Sequence, residues 1–261
     1  MFTVFYLIAF FFGAAIGSFV HVVITRLHVA PIVSARSRCL SCGEALRAYD
    51  MIPALSYLLL RGKCRYCGTS YGYGSFVTEV LYGILFVLLY HTVLIGQPTL
   101  VVATLWALYY TLLFVLLGVI ALYDRAHTFL PVPQVLAYCV LTLLMLCVRY
   151  VHEPSYALLL SPILTALPFF VLWVITRGKG LGFGDVVLFL GVGAFFPLEQ
   201  ALAVLLLSVW MGAIYGIGIY FFSRTKHSKH LAIPFVPFIV LAFLIVLFTD
   251  ISLFSIASLF A

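Results

Sequence analysis

Only eight acidic residues and six cysteines occur among 261 positions, so each group able to move a proton or hold a metal can be weighed singly. Glu153, Glu199 and Asp250 fall at the ends of apolar runs, where hydrated interface residues are expected. Glu44 and Asp50 lie in a cysteine-bearing segment, which leaves Glu79, Asp124 and Asp185. Asp124, in Leu122-Tyr123-Asp124-Arg125, closes an apolar run. A carboxylate there faces the negative end of its helix dipole, so its bland explanation is a pair with Arg125 or hydration. Asp185, in Gly182-Phe183-Gly184-Asp185, precedes another apolar run, and alone it reads as a helix N-cap. Together the two suggest more. Two carboxylates sharing a site do not both ionise easily. One can then deprotonate water while the other, protonated, polarises a peptide carbonyl. That is aspartic peptidase chemistry, and neither an H-E-x-x-H nor a G-x-S-x-G pattern competes with it.

The second constellation is Arg38-Cys39-Leu40-Ser41-Cys42-Gly43 and Lys63-Cys64-Arg65-Tyr66-Cys67-Gly68. Two C-x2-C-G units at this separation can close a tetrahedral site, each glycine permitting the turn that aims N–H groups at sulfur. Soft thiolates favour zinc, with iron as the runner-up. Two disulfides or idle thiols are the alternatives, and a cytoplasmic location disfavours disulfides. With Cys39, Cys42, Cys64 and Cys67 all ligating, no position is left for reactive water, so the metal is expected to be structural. Cys139 and Cys147 read as small apolar packing residues.

These groups must be held by membrane-spanning helices. The chain is 65% hydrophobic and 8% charged, too apolar to cover itself in water. Eight spans are expected at about 3–25, 76–95, 99–122, 133–150, 156–176, 185–197, 200–222 and 235–257, the sixth short enough to be a half-buried helix. Of fourteen basic residues, thirteen fall in loops 26–75, 123–132, 177–184 and 223–234, and only Arg149 lies on the other side. Positive charge marks the cytoplasmic side, which puts the N-terminus outside and both aspartates at the cytoplasmic boundary. The expected fold is an all-α polytopic membrane protein. It has a first helix at 1–25, a metal-binding loop at 26–75 and a seven-helix core at 76–261. The first helix is not read as a cleavable signal, since its first basic residue, Arg26, follows the apolar run.

Other features carry less. Glu79 is expected as an interfacial group paired with a loop arginine, with substrate binding as the functional alternative. Gly13/Gly17 and Gly212/Gly216 have the spacing of close helix contacts. Trp106, Tyr109 and Tyr110 read as packing, and His127 as a loop histidine within reach of the acid pair. Arg224, Lys226 and Lys229 read as an anchor on anionic lipid. The rival class is a transporter using Asp124 and Asp185 for protons or cations, although such sites usually lie near the midplane. A third reading, a membrane anchor presenting a basic module to nucleic acid, is disfavoured because the charge follows from topology.

At the level of ordered motifs the chain resembles the bacterial prepilin peptidases, or type IV leader peptidases, of the GxGD membrane aspartic proteases. The resemblance is carried by Gly13-Ala-Ala-Ile-Gly17-Ser18-Phe19 through Arg26-Leu27, the paired cysteines, Ile52-Pro53-Ala54-Leu55-Ser56-Tyr57 and Arg61-Gly62-Lys63-Cys64. It continues through Asp124 with Leu130-Pro131, Gly182-Phe183-Gly184-Asp185, and Ile233-Pro234-Phe235-Val236-Pro237-Phe238. His21, His28, Val132 and Val187 depart from the family pattern. The resemblance implies that Asp124 and Asp185 form the catalytic pair, supported by Gly182 and Gly184. It implies cleavage of the basic leader from type IV prepilins or type II secretion pseudopilins, after a glycine, in the bacterial inner membrane. It also implies N-methylation with S-adenosylmethionine, for which no residue signature is seen.

Overall fold

The computed structural model describes residues 2–27, 31, 37–222 and 234–257. Arg36, His28, Ile233 and the anchor residues Arg224, Lys226 and Lys229 lie outside that set. Ten α-helices account for most of the described chain: α1 Phe2–Arg26, α2 Leu55–Leu60, α3 Gly74–Leu89, α4 Leu100–His127, α5 Val132–His152, α6 Tyr156–Thr176, α7 Phe183–Phe195, α8 Leu198–Phe222, α9 Val236–Thr249 and α10 Leu253–Ala257. A π turn, Tyr90–Leu94, extends α3. Among the described residues no strand forms, only the isolated bridges Arg38–Ala45 and Lys63–Ser70. The fold is all-helical and the chain is a multi-pass membrane protein, as expected.

All eight apolar helices are present, but only six are long enough to cross a bilayer. Helix α7 has 13 residues and α9 has 14. At 1.5 Å per residue they reach about 20 Å, against the roughly 30 Å of a hydrocarbon core. The expected eighth span, 235–257, is broken. Asp250 takes a left-handed conformation (φ 53°) and closes α9, and a separate short helix follows.

The chain divides into two compact units, Met1–Thr111 and Leu112–Ala261, the division falling inside α4. In the first, α1 packs along α3. Gly13 and Gly17 make this possible. A Cβ on either would meet the backbone carbonyl of Tyr82 or of Thr78, so small residues let the two helices approach to backbone contact. Trp106, Tyr109 and Tyr110 pack edge to face and tilted on one another.

In the second unit, α7 is the central helix, against α5, α6 and α8. Nine of its 13 residues are buried, which explains why its apolar run has no polar face. Gly191 lies under the Tyr138 ring of α5, and Gly193 lies against Ser161 and Thr165 of α6. The Ser161 hydroxyl donates to the Phe196 carbonyl at 3.3 Å, satisfying one acceptor that the end of α7 leaves free. Cys139 is in the same contact, its thiol 3.7 Å from the Val187 carbonyl. Gly212 on α8 faces Phe235 and Phe238.

Candidate active site and metal centre

Helix α4 runs four residues beyond Val119 and Ile120 of the core before reaching Asp124 in its last turns, and continues to His127. Thr128, with φ 57°, then turns the chain sharply, its N–H bonded to the Asp124 carbonyl at 2.7 Å. The Asp124 carboxylate accepts the Val236 N–H at 3.2 Å. Val236 is the first residue of α9, so its amide is one of the donors a helix start leaves unpaired. The carboxylate is badly placed for the dipole of its own helix and well placed for that of another. No pair with Arg125 is seen among the described residues. His127 lies tilted against Tyr123, ring centroids 4.4 Å apart, and beside Phe129.

Asp185 occupies the third position of α7, not the N-cap expected from sequence; the cap is Gly182, in extended conformation (φ −73°, ψ 144°). From there the Asp185 backbone N–H donates to the Gly182 carbonyl at 3.2 Å. A Cβ on Gly182 would stand 3.5 Å from Asp185 Oδ2, and a Cβ on Gly184 would collide with Leu130. Gly184 thus lets the start of α7 close onto the Leu130-Pro131 segment that follows Asp124.

Asp124 and Asp185, 7% and 8% exposed, are both buried and both line one cavity of about 1230 Å³. The remaining wall includes Leu130, Phe169, the glycine-rich loop from Gly178 to Gly182, and Phe235. The sequence-selected pair therefore lines one largely apolar chamber with a glycine-rich rim. The contribution of Val236 and α9 was not anticipated. Pro237 at the second helical position is the available signal that a helix starts there.

In the first unit the two C-x2-C-G segments fold into matched knuckles. Gly43 N–H bonds the Cys39 carbonyl at 2.8 Å and Gly68 N–H the Cys64 carbonyl at 2.9 Å, with φ of 73° and 72°. Cys39 N–H bonds the Glu44 carbonyl and Cys64 N–H the Thr69 carbonyl, both at 2.9 Å. Left-handed backbone of this kind favours glycine. The four sulfurs all lie within 4.8 Å of one another, and none is in a disulfide. Cys39 and Cys67 Sγ are 3.8 Å apart, the edge of a tetrahedron with metal–sulfur bonds of about 2.3 Å. The cluster can hold a metal ion.

Backbone and hydroxyl donors already prepare two of the sulfurs, those of Cys39 and Cys67, for that role. N–H groups of Cys42 and Ser41 lower the Cys39 thiol, and the Thr69 hydroxyl and N–H bring Cys67 down to about 6. Asp50 ties the loop together. It is buried, receiving Arg65 Nε at 2.6 Å, the Tyr66 hydroxyl at 3.2 Å and the Arg47 N–H at 3.3 Å. Burial alone would raise its carboxyl; these donors reverse the effect and hold it below the usual range. Nothing in the sequence distinguished this residue.

Glu79, buried on α3, accepts the Ala54 N–H and the Ser75 hydroxyl, each at 2.8 Å. The expected loop-arginine partner is replaced by these two donors. Ala54 itself has φ 61° and caps α2.

A membrane protein with two buried carboxylates facing one chamber is the architecture of an intramembrane aspartic hydrolase. The family description "Bacterial Peptidase A24 N-terminal domain" matches residues 11–93, and "Type IV leader peptidase family" matches residues 111–217. A protein of Burkholderia pseudomallei (strain K96243) is 30% identical over 261 residues, covering 87% of this chain and 80% of its own length. One of Vibrio cholerae serotype O1 is 29% identical over 262 residues, covering 94% and 97%. One of Myxococcus xanthus is 33% identical over 213 residues, covering 80% and 61%. All three carry the name prepilin leader peptidase/N-methyltransferase. No solved structure matches the chain. The chain belongs to the type IV leader peptidase family, and its reaction is the cleavage of a leader peptide. The transporter alternative is not favoured.

Proposed function

We propose that Asp124 and Asp185 are the catalytic pair that removes the basic leader from type IV prepilins or type II secretion pseudopilins, after a glycine. The observation that carries this reading is their joint burial on the wall of one chamber. One carboxylate, ionised, takes a proton from water as the water oxygen bonds the scissile carbonyl carbon. The other, protonated, gives its proton to the carbonyl oxygen. Collapse of the tetrahedral species breaks the C–N bond and delivers a proton to the departing amine. The α9 amide holds Asp124 Oδ2 in place, Gly184 lets the start of α7 close onto Leu130, and Gly182 leaves the Asp185 carboxylate uncrowded by a side chain.

The N-terminus lies outside and the chamber opens to the cytoplasm of a bacterial inner membrane, because thirteen of fourteen basic residues share the side of Asp124. In that orientation a substrate's apolar helix stays in lipid while its charged leader stays in water. Residues 26–75 form the metal-binding loop and residues 76–261 the peptidase core. The four cysteines hold zinc as a structural ion, which supplies cross-linking and no chemistry; their donor set and 3.8 Å sulfur separation suit it. Glu79 acts by holding the start of α2 and thereby shaping the wall of the loop cavity, where a substrate or cofactor would bind. The relatives' names support a second reaction, N-methylation of the new terminus from S-adenosylmethionine.

Incubating the purified protein with a prepilin, with and without S-adenosylmethionine, and weighing the products tests both reactions. Loss of the leader mass is expected in either case. A further gain of one methyl is expected only with the cofactor. An intact prepilin would refute the peptidase reading.

A further inference from the structure

Helix α2 is held at a definite depth. Its cap, Ala54, donates to Glu79, the sixth residue of α3, and Tyr57 stacks on Phe76, the third, with ring centroids 4.7 Å apart. Five residues of α-helix rise about 7.5 Å. Helix α3 with its π turn is a 21-residue span, Gly74–Leu94, whose roughly 31 Å just matches a hydrocarbon core. No length is spare, so the first turns of α3 stand at the membrane boundary, and α2 lies beside them.

The face of α2 turned away from α3 is apolar and uncovered among the described residues. Leu55, Leu58 and Leu59, at helical spacing, are 41%, 59% and 77% exposed, and Met51 and Ile52 continue the patch. Arg61 and Lys63, both exposed, follow at once. Residues 26–75 carry seven basic side chains against two acidic. An apolar stripe rimmed by cations, sunk about 5–10 Å into the headgroup–acyl boundary, is how interfacial helices bind anionic bilayers.

We propose that α2 is an interfacial membrane-docking helix. It seats Leu55, Leu58 and Leu59 in the headgroup–acyl boundary of anionic lipid, with Arg61 and Lys63 on the lipid phosphates. The metal-binding loop is then a module lying on the membrane and fixed to it by lipid as well as by its two spans. This goes beyond the peptidase reading and does not depend on it.

The test uses the full-length protein in vesicles of phosphatidylglycerol and phosphatidylcholine. Leu59→Trp is compared with Glu44→Trp, an exposed position in the first cysteine knuckle, and the signal of the parent protein is subtracted from each. Leu59→Trp is expected to emit at shorter wavelength, to be quenched by lipid brominated near the headgroup, and to resist aqueous acrylamide. Glu44→Trp is expected to show the reverse. Replacing phosphatidylglycerol by phosphatidylcholine should weaken the bromolipid quenching of Leu59→Trp, and Arg61→Ser with Lys63→Ser should weaken it likewise. Acrylamide quenching of Leu59→Trp equal to that of Glu44→Trp would overturn the proposal. So would shielding from both quenchers, or a shift that grows with protein-to-lipid ratio, which would make the face a contact between copies.

Discussion

Asp124 Oδ2 accepts the backbone N–H of Val236 at 3.2 Å, so a carboxylate at the end of α4 caps the beginning of α9, 112 residues later. This contact separates two functions of one side chain. Asn at position 124 can still accept that N–H through its carbonyl oxygen but cannot share a proton. Asp124→Asn should therefore lose leader cleavage by about 10²–10⁴-fold or more with little change in thermal unfolding. Asp124→Ala should lose the cleavage and, in addition, about 1 kcal/mol of stability from the lost cap. Asp185→Asn should match the activity loss. Cleavage assays paired with thermal melts in detergent check all three, and full activity in either Asn variant would exclude the pair.

A pair that works with one shared proton is inactive when both members are protonated and when both are ionised. The single-turnover rate should accordingly fall at both acidic and alkaline pH, giving a bell whose limbs belong to the pair and not to either residue. A rate that stays flat across pH would count against the mechanism.

Gly184 offers a test of packing around the site. Gly184→Ala places a methyl against Leu130, and overpacking of this kind costs about 1–3 kcal/mol. Lowered stability and slowed cleavage are expected. Leu130→Ala in the same chain should recover part of both, since residues in contact couple. Additive losses in the double variant would mean that the two do not meet.

The cysteine cluster should contain one metal per chain by elemental analysis, and Cys64→Ser should remove it while leaving both aspartates intact. Ligation needs thiolates, so acidification should release the metal. In metal-stripped protein the thiols should differ. Thr69 holds Cys67 down at about 6, so it is ionised at neutral pH and should alkylate first. At Cys42 the Glu44 N–H pulls downward, but lost hydration and the neighbouring Cys39 and Cys67 outweigh it and push the thiol up to about 11. It should label last in a peptide map.

Asp50 predicts how the loop responds to acid. Its carboxyl is held below the usual value by Arg65, the Arg47 N–H and Tyr66 against the effect of burial. A lowered folded value means that its contribution is complete above the ordinary carboxylate range. It disappears as pH falls through the lowered value. Limited proteolysis between residues 37 and 73 should accelerate over that window, and Asp50→Asn should be open to the protease already at neutral pH.

How far the sequence could be read varied with the kind of interaction. The apolar runs predict eight helices, because hydropathy reflects a solvent that acts on each segment independently. The knuckles are equally legible, since C-x2-C-G encodes its own turn. Asp124 and Asp185 stand out by scarcity and by motif, and burial beside one chamber is where they are found. What stayed hidden is long-range and made by backbone groups: the Val236 amide on Asp124, the Ala54 amide on Glu79, the Gly184 contact with Leu130. No residue type announces such partners. Length errors had a similar origin. The break at Asp250 depends on one left-handed residue, which an apolar window from 235 to 257 averages away.

The brevity of α7 has a consequence for substrate choice. Phe196 and Pro197 alone join its end to α8, a full-length span, so the two helices begin and finish level at that face. Helix α7 is about a third shorter than a hydrocarbon core, so its other end, where Asp185 stands, stops short of the level that a full-length span would reach. If Asp124 and Asp185 cut a membrane-anchored target as proposed, that target would have to present an unwound stretch of main chain at the start of α7, which would select for the ability to fray where a membrane helix begins.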